Sequence, residues 1–183
     1  GLGDVYKRQE YLERFGLDRK IKFGKLSKGQ KIKAQFAFAL STDPKYLILD
    51  EPTANFDPDF KQDFLNVIMQ FMESGKKSVI IASHILDELD RIADYLIYLD
   101  KGELVYSGDI ESFRDKYRIL SGESYKVKLL KQEDIIHAED RKYGTKALVV
   151  NHGYSKYDGA LTVTVPTLEE FMYHYSKRGE SVI

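Results

Sequence analysis

The stretch YLILDEP, residues 46–52, decides the fold of this chain. Its first part, Tyr46–Asp50, is a continuous apolar run closed by a carboxylate, which is typical of a strand buried on both faces of a parallel sheet. After a proline-bounded loop, Phe60–Met72 has helical periodicity, and SVIIAS at residues 78–83 predicts a second buried strand. Strand, helix and strand with short links form a βαβ unit. We therefore expect an α/β fold with parallel strands and a right-handed crossover.

Upstream of this unit, LSKGQ at residues 26–30 precedes a helical pattern that ends at Asp43-Pro44. Ser27 is a favourable N-cap, and Gln30 three positions later completes a capping box. A helix N-terminus presents free N–H groups and a partial positive charge, and a glycine lets the backbone approach a ligand closely. The stretch therefore predicts an anion-binding helix start, although an ordinary capped helix has the same pattern.

Downstream, the sequence pattern is at first still that of alternating helices and strands, and it then changes. Helices are expected over Leu86–Ala93 and Ile110–Tyr117, and YLIYL and ELVYS around Asp100-Lys101-Gly102 predict a hairpin. SYKVKLL and ALTVTV then alternate polar with apolar residues, as half-exposed strands do, and Thr167 with Glu170 predicts a last capped helix. We place a boundary near residue 118.

Composition excludes several classes of function. Lys+Arg 28 against Asp+Glu 29 gives a formal net charge of -1, which argues against a general nucleic-acid binder. The absence of cysteine excludes disulfides and thiolate metal sites. No apolar run approaches the roughly 18 residues of a spanning helix, so any membrane role would need spanning helices from another chain.

Three polar groups are expected at one edge of the predicted sheet. Asp50 and Glu51 follow the first strand, and His84 follows the second. Ligands of open α/β sheets lie beyond the carboxyl ends of the strands, where paired carboxylates suit a magnesium nucleotide and a histidine can donate to phosphate. Each feature alone has a common structural explanation, because an Asp-Glu pair is more often solvated and a lone histidine is usually structural. The combined order of the motifs favours the functional reading.

The order LSKGQ, YLILDEP, ANFDP and a strand ending in Ser83-His84 resembles the C-terminal portion of an ATP-binding cassette (ABC) ATPase over residues 10–117. LSKGQ is similar to the family signature LSGGQ, YLILDEP to the Walker B strand, ANFDP to the D-loop, and His84 to the switch histidine. The resemblance implies a partial P-loop NTPase (ABC ATPase) fold with a parallel-sheet core, lacking its N-terminal part and followed by a small α+β C-terminal extension.

The resemblance also implies the chemistry. ATP would be sandwiched between two subunits of a homo- or heterodimer, with Ser27, Gly29 and Gln30 of one subunit contacting the γ-phosphate of the other's nucleotide. Asp50 would order Mg²⁺ through water and Glu51 would polarise the attacking water. His84 would sense the γ-phosphate and Asp57 would couple the two sites. An integral-membrane permease would be the partner, with the ATPase cytoplasmic and peripheral on the inner face of the cell membrane and no nucleic acid bound.

Two departures from the family pattern limit that reading. Lys28 stands where the signature has its first glycine, where it can attract phosphate or point to solvent. No G-x-x-x-x-G-K-[ST] phosphate loop occurs in the sequence, and GLGDVYKRQ at residues 1–9 resembles a translated sequencing adapter rather than native chain, although an ordinary charged helix start would look similar. We therefore expect this chain by itself neither to bind ATP tightly nor to hydrolyse it.

The segment 118–183 resembles the C-terminal extension of ATPases from bacterial exporters with ABC-2-type permeases. It would mediate dimer contacts or regulation, or only pack on the cassette. His137, His152 and His174 lack metal-ligand spacing and are interpreted as surface or packing residues. The alternative function is a soluble ABC-type ATPase acting on ribosomes or DNA, although such relatives usually carry a second cassette, a coiled-coil insertion or a basic surface.

Overall fold

A computed structural model describes residues 2–86, 89–153, 159 and 161–180 of the 183-residue chain. The chain divides into two compact units, Gly1–Ile85 and Leu86–Ile183. The first unit carries all the predicted site residues. The packing divides the chain between residues 85 and 86, and not near residue 118. The boundary near residue 118 separates two sequence resemblances, which packing does not test, so it stays a prediction.

The first unit is a βαβ unit preceded by two helices. In chain order its elements are α1 (Leu2–Arg14), a 3₁₀ turn (Phe23–Lys25), α2 (Lys28–Ser41), β1 (Tyr46–Asp50), α3 (Pro58–Met72) and β2 (Ser78–Ala82). Strands β1 and β2 are parallel, with Tyr46 opposite Ser78 and Asp50 opposite Ala82. The parallel βαβ arrangement predicted from the sequence is confirmed.

A cluster of phenylalanines holds the three helices of this unit together. Phe15, the residue after α1, stacks on Phe36 of α2 with ring centres 5.6 Å apart and makes a T-shaped contact with Phe60 of α3 at 5.0 Å. Phe64 lies 4.9 Å from Phe36 and is fully buried. Each buried aromatic side chain stabilises the fold by about 1.5–3 kcal/mol relative to exposure. The cluster thereby sets where the N-termini of α2 and α3 lie.

The prediction that both strands are buried on both faces is wrong for this structure. Leu47 is 4% exposed, but Ile48 is 75% exposed and Ile80 of β2 is 60% exposed. The sheet of this unit has only two strands among the described residues, so no further strand covers the exposed side chains of Ile48 and Ile80. An apolar run gives the character of both faces of a strand, but it does not say what covers each face.

The second unit is an α+β arrangement built on two antiparallel sheets. Its elements are a 3₁₀ turn (Leu89–Arg91), β3 (Tyr95–Asp100), β4 (Glu103–Asp109), α4 (Ile110–Lys116), β5 (Tyr117–Gly122), α5 (Ser124–Lys128), a 3₁₀ turn (Gln132–Asp134), β6 (Ile135–Arg141), β7 (Gly144–Val150), β8 (Thr162–Thr164) and α6 (Leu168–Ser176). Strands β3 and β4 form the predicted hairpin, and the larger sheet has the order β6-β7-β5-β8.

Two elements of this unit differ from the sequence-based expectation. The helix expected over Leu86–Ala93 is only a 3₁₀ turn at Leu89–Arg91, with residues 87 and 88 outside the described ranges. SYKVKLL is not a strand but contains α5. Val127 of this helix and Leu130, two residues after its end, are buried in the same hydrophobic cluster. Seven alternating residues are too few to distinguish the two-residue period of a strand from the 3.6-residue period of a helix.

The core of the second unit explains why its packing does not change at residue 118. Phe113 of α4 lies 4.8 Å from Phe171 of α6, and Tyr117 lies 4.6 Å from the same ring. Tyr98 of the hairpin meets Phe171 edge-on at 5.6 Å. The hairpin and the C-terminal helix therefore share one hydrophobic core.

Candidate functional site

Glu51 and His84 form a hydrogen-bonded pair at the carboxyl ends of β1 and β2. Glu51 Oε1 lies 2.8 Å from His84 Nδ1, and Glu51 Oε2 lies 3.4 Å from the hydroxyl of Ser83. The parallel register places Asp50 opposite Ala82. The chain therefore brings Glu51, which follows β1, next to Ser83 and His84, which follow β2. Both members of the pair remain accessible, with side-chain exposures of 40% for Glu51 and 71% for His84.

The backbone of Glu51 adopts a conformation that is unfavourable for a glutamate. Its φ is 44°, in the left-handed region that residues with a Cβ rarely occupy. Its N–H donates to the carbonyl of Ala82 at 2.8 Å, which extends the β1–β2 ladder by one residue before the chain turns. Such strain, of about 1–2 kcal/mol, is commonly retained at functional sites.

The hydrogen bond from the His84 side chain is the main reason that the pKa of Glu51 lies below its ordinary value. The backbone N–H of His84 and the hydroxyl of Ser83 act in the same direction, against the desolvation that raises the pKa. Glu51 is therefore an ionised carboxylate at neutral pH. It can accept a hydrogen bond from water while His84 keeps its orientation.

Asp50 is the last residue of β1 and is exposed at the same end of the strand. A cavity of 290 Å³ between α2 and β1 has Asp50 and Glu51 in its lining, together with apolar residues that include Phe36 and Phe64. A larger cavity of 480 Å³, beside α1 and α2, is lined by none of the predicted site residues. The carboxylates thus lie at a concave part of the first unit.

The start of α2 has the predicted capping box. Ser27 Oγ accepts from the N–H of Gln30 at 3.2 Å, and Gln30 Oε1 accepts from the N–H of Ser27 at 2.9 Å. Lys28 is exposed at the first helical position. A Cβ added to Gly29 would come within 3.0 Å of the Asn55 carbonyl oxygen, so Gly29 lies directly against the loop that leads into α3.

Asp57 has contacts within its own chain. It is the N-cap of α3, where Oδ1 accepts from the N–H of Phe60 at 2.9 Å, and Oδ2 pairs with Lys33 Nζ of α2 at 3.2 Å. The bond from Phe60, followed by that from Lys33, lowers the pKa of Asp57. The sequence predicted a role for Asp57 but missed Lys33, whose spacing of four residues from Gly29 places both on one helical face.

The sequence of this chain is similar to one protein family and to several known proteins. The family described as "AAA domain, putative AbiEii toxin, Type IV TA system" matches residues 4–90. A "Putative ABC transporter ATP-binding protein" of Mycoplasma pneumoniae is 38% identical over 111 residues, which are 58% of this chain and 34% of that protein. The energy-coupling factor transporter ATP-binding protein EcfA2 of Caldanaerobacter subterraneus is 41% identical over 95 residues, 51% of this chain and 33% of that protein. The homologues of this chain are ATP-binding proteins of ABC transporters.

The chain spans about a third of the length of these two ABC homologues. A solved bacterial ABC transporter cassette, described as dimeric, superimposes with a TM-score of 0.51 at 24% identity, over 57% of this chain and 46% of the cassette. This likeness supports the ABC ATPase fold. In the part of the chain that the structure describes, no helix is both long enough and apolar enough to cross a membrane.

The structure thus brings the predicted ABC motifs together in two places within the first unit. Glu51 and His84 are joined at the carboxyl end of the sheet, with Asp50 beside them in sequence. The signature segment and the loop before α3 are joined through Gly29 and through the Lys33–Asp57 ion pair. The sequence analysis did not name Lys33, and it named Ser83 only as the end of a strand.

Proposed function

We propose that this chain is part of the ATP-binding and ATP-hydrolysing subunit of an ABC transporter. ATP-driven association of two such subunits would power a separate integral-membrane permease from the cytoplasmic face of the membrane. The observation that carries the proposal is the Glu51–His84 pair at the carboxyl ends of two parallel strands, in a chain whose homologues are ABC ATP-binding proteins.

The residues present fit a magnesium nucleotide. Carboxylate oxygen is the ligand class that Mg²⁺ takes, and Asp50 is exposed at the strand end where α/β folds bind ligands. The N-terminus of α2, with the Ser27 hydroxyl beside it, suits a phosphate group. When bound, Mg²⁺ would neutralise charge that develops on the phosphates.

In this proposal the chain's own residues act mainly by positioning and electrostatics. Glu51, held ionised by His84, accepts a proton of the attacking water. The same contact orients the lone pair of the water oxygen towards the γ-phosphate. His84 Nδ1 donates to Glu51, which leaves Nε2 for a contact with phosphate.

The signature segment would act on the nucleotide of a second subunit. Ser27, Gly29 and Gln30 would face a γ-phosphate held by that subunit, and Asp57 would contribute to coupling of the two sites. Lys28, exposed beside them, would add a positive charge near the phosphate or remain in solvent. The dimer would be formed with a second copy or with a related subunit.

The test is the Glu51→Gln variant of the full-length protein, with Glu73→Gln, an exposed glutamate after α3, as the matched control. The variant should still bind ATP, should accumulate as a dimer on size exclusion with Mg-ATP, and should lose ATPase activity by about 10²–10⁴-fold, as loss of a general base does. Glu73→Gln should hydrolyse ATP at the wild-type rate. Wild-type turnover by Glu51→Gln would exclude Glu51 as the catalytic carboxylate.

The 183-residue chain itself is expected to show no ATP hydrolysis, because its sequence has no phosphate-loop motif. Turnover by the purified chain, lost in its own Glu51→Gln variant, would overturn this part of the proposal. Binding of the full-length protein to ribosomes or DNA, without a permease partner in membrane preparations, would favour the soluble ATPase instead.

A further inference from the structure

The signature helix α2 and the loop before α3 touch at two points on one side of α2. Gly29 lies against the Asn55 carbonyl, where an added Cβ would be only 3.0 Å from the oxygen. One helical turn later, Lys33 Nζ lies 3.2 Å from Asp57 Oδ2. Because residues four apart share a helical face, these contacts attach the first turns of α2 to both ends of the segment 55–57.

The Lys33 contact is built into the fold rather than placed on a free surface. The Lys33 side chain is 17% exposed, and its ammonium lies 3.9 Å from the centre of the Phe60 ring. Phe60 is itself 5% exposed and packs against Phe15 and Phe56. The ammonium therefore has a cation–π contact on one side and the Asp57 carboxylate on another, which restricts its position.

Asp57 has little freedom to act elsewhere while these contacts hold. One of its oxygens caps α3 through the N–H of Phe60 and the other pairs with Lys33. A displacement of α2 towards or away from a phosphate would therefore carry the Lys33 ammonium with it and pull on the loop through Asp57.

We propose that Lys33 is a positioning residue for the ATPase reaction, which transmits the placement of the α2 N-terminus to the loop 55–57 through its ion pair with Asp57. The proposal rests on the proposed function, since it concerns the response of α2 to a bound nucleotide. Lys33 touches no nucleotide in this account. It acts by keeping the signature segment and the loop 55–57 in one relative arrangement. A subunit therefore places both segments at a nucleotide, or neither.

The test uses four forms of the full-length protein: wild type, Lys33→Met, Asp57→Asn and the double variant. Methionine keeps an apolar stem over Phe60 without the charge, and asparagine remains a good N-cap for α3. Each single variant should lower kcat about tenfold, with KM for ATP within about twofold. The melting temperature should stay unchanged, because the Asp57 side chain is 59% exposed and an ion pair with a solvent-screened partner adds little stability. The double variant should be no slower than the slower single variant, and Lys33→Arg should restore kcat.

Lys76→Met, an exposed lysine in the loop before β2, is the charge-matched control and should leave kcat unchanged. Two results would overturn the proposal. One is a wild-type kcat in Lys33→Met. The other is a double variant whose loss equals the product of the two single losses, since independent residues behave that way.

A second measurement separates this proposal from the proposed function. If wild-type full-length protein hydrolyses no ATP, the proposed function fails, and the ion pair is then judged by amide hydrogen exchange in the 183-residue chain. Lys33→Met should speed exchange in the segment 55–57 and in the first turn of α2 together, by at least about threefold relative to Lys76→Met. Unchanged exchange in both segments would overturn the positioning role.

Discussion

The buried histidine pair of the second unit predicts that this unit loses stability in mild acid. His137 Nδ1 of β6 lies 2.8 Å from His174 Nδ1 of α6, and the two residues are 3% and 1% exposed. One nitrogen must donate and the other must accept, so the hydrogen bond requires that at least one imidazole is neutral. The sequence-based reading of both residues as surface or packing residues resolves to packing.

Burial is the main cause that lowers the pKa of His174 from 6.5 to about 4, and the neighbouring His137 adds to it. Burial also lowers the pKa of His137. The charged groups that act on the pair from the packed elements are Glu139, Arg141, Lys146, Lys177 and Glu180. The carboxylates among them favour protonation of the imidazoles, but burial outweighs this effect for both.

The sign and size of the effect follow from proton linkage. Between pH 6.5 and pH 4 the unfolded chain binds a proton at His174 that the folded unit does not, so the free energy of unfolding falls as the pH falls. With pKa values of 6.5 unfolded and about 4 folded, the loss between pH 7.5 and pH 5.0 is at most about 2 kcal/mol. Burial raises the pKa of Glu139, but the hydrogen bonds from Arg141 and Tyr173 together with nearby positive charge outweigh it, so the pKa is lowered. The stability that Glu139 contributes is therefore lost only at more acid pH.

The assay is amide hydrogen exchange of peptides covering β6 and α6 at pH 7.5 and 5.0, corrected for intrinsic exchange rates. Protection should fall in wild type by up to about thirtyfold, the equivalent of 2 kcal/mol. His174→Gln should remove at least half of this sensitivity, because glutamine keeps a polar group without titrating. His152→Gln, at a histidine whose side chain is 61% exposed, is the control and should behave as wild type. Equal acid sensitivity in wild type and His174→Gln would refute the reasoning.

Two further predictions concern the first unit. Phe64→Ala removes a fully buried ring between Phe36 and Phe56 and should lower the free energy of unfolding by about 3–5 kcal/mol in urea titrations, whereas Met69→Ala, 45% exposed on the same helix, should cost less than about 1 kcal/mol. Glu51→Gly should be more stable than Glu51→Ala by about 1 kcal/mol in thermal melts, because only glycine adopts a φ of 44° without strain; equal stability of the two variants would show that the backbone at residue 51 is relaxed.

The sequence by itself determined the local features of this protein. Capping at Ser27 and Thr167 and the hairpin turn at Lys101-Gly102 depend on a few adjacent residues. These features come from hydrogen bonds and backbone preferences of residues that are neighbours in sequence, so they can be predicted without knowledge of the tertiary structure. The parallel pairing of β1 and β2 was also predictable, because a helix between two apolar runs leaves few alternatives.

Tertiary structure decided what depends on residues distant in sequence. The Glu51–His84 bond could be expected from two strand ends, but its 2.8 Å geometry and the left-handed backbone of Glu51 could not. The Lys33–Asp57 ion pair joins α2 to the N-cap of α3, 24 positions away, and its position is set by the phenylalanine cluster between the two helices. The exposed face of β1 and the helical form of α5 were misread for the same reason. Burial is a property of the assembled core, and a short apolar or alternating run does not specify which neighbour will cover it.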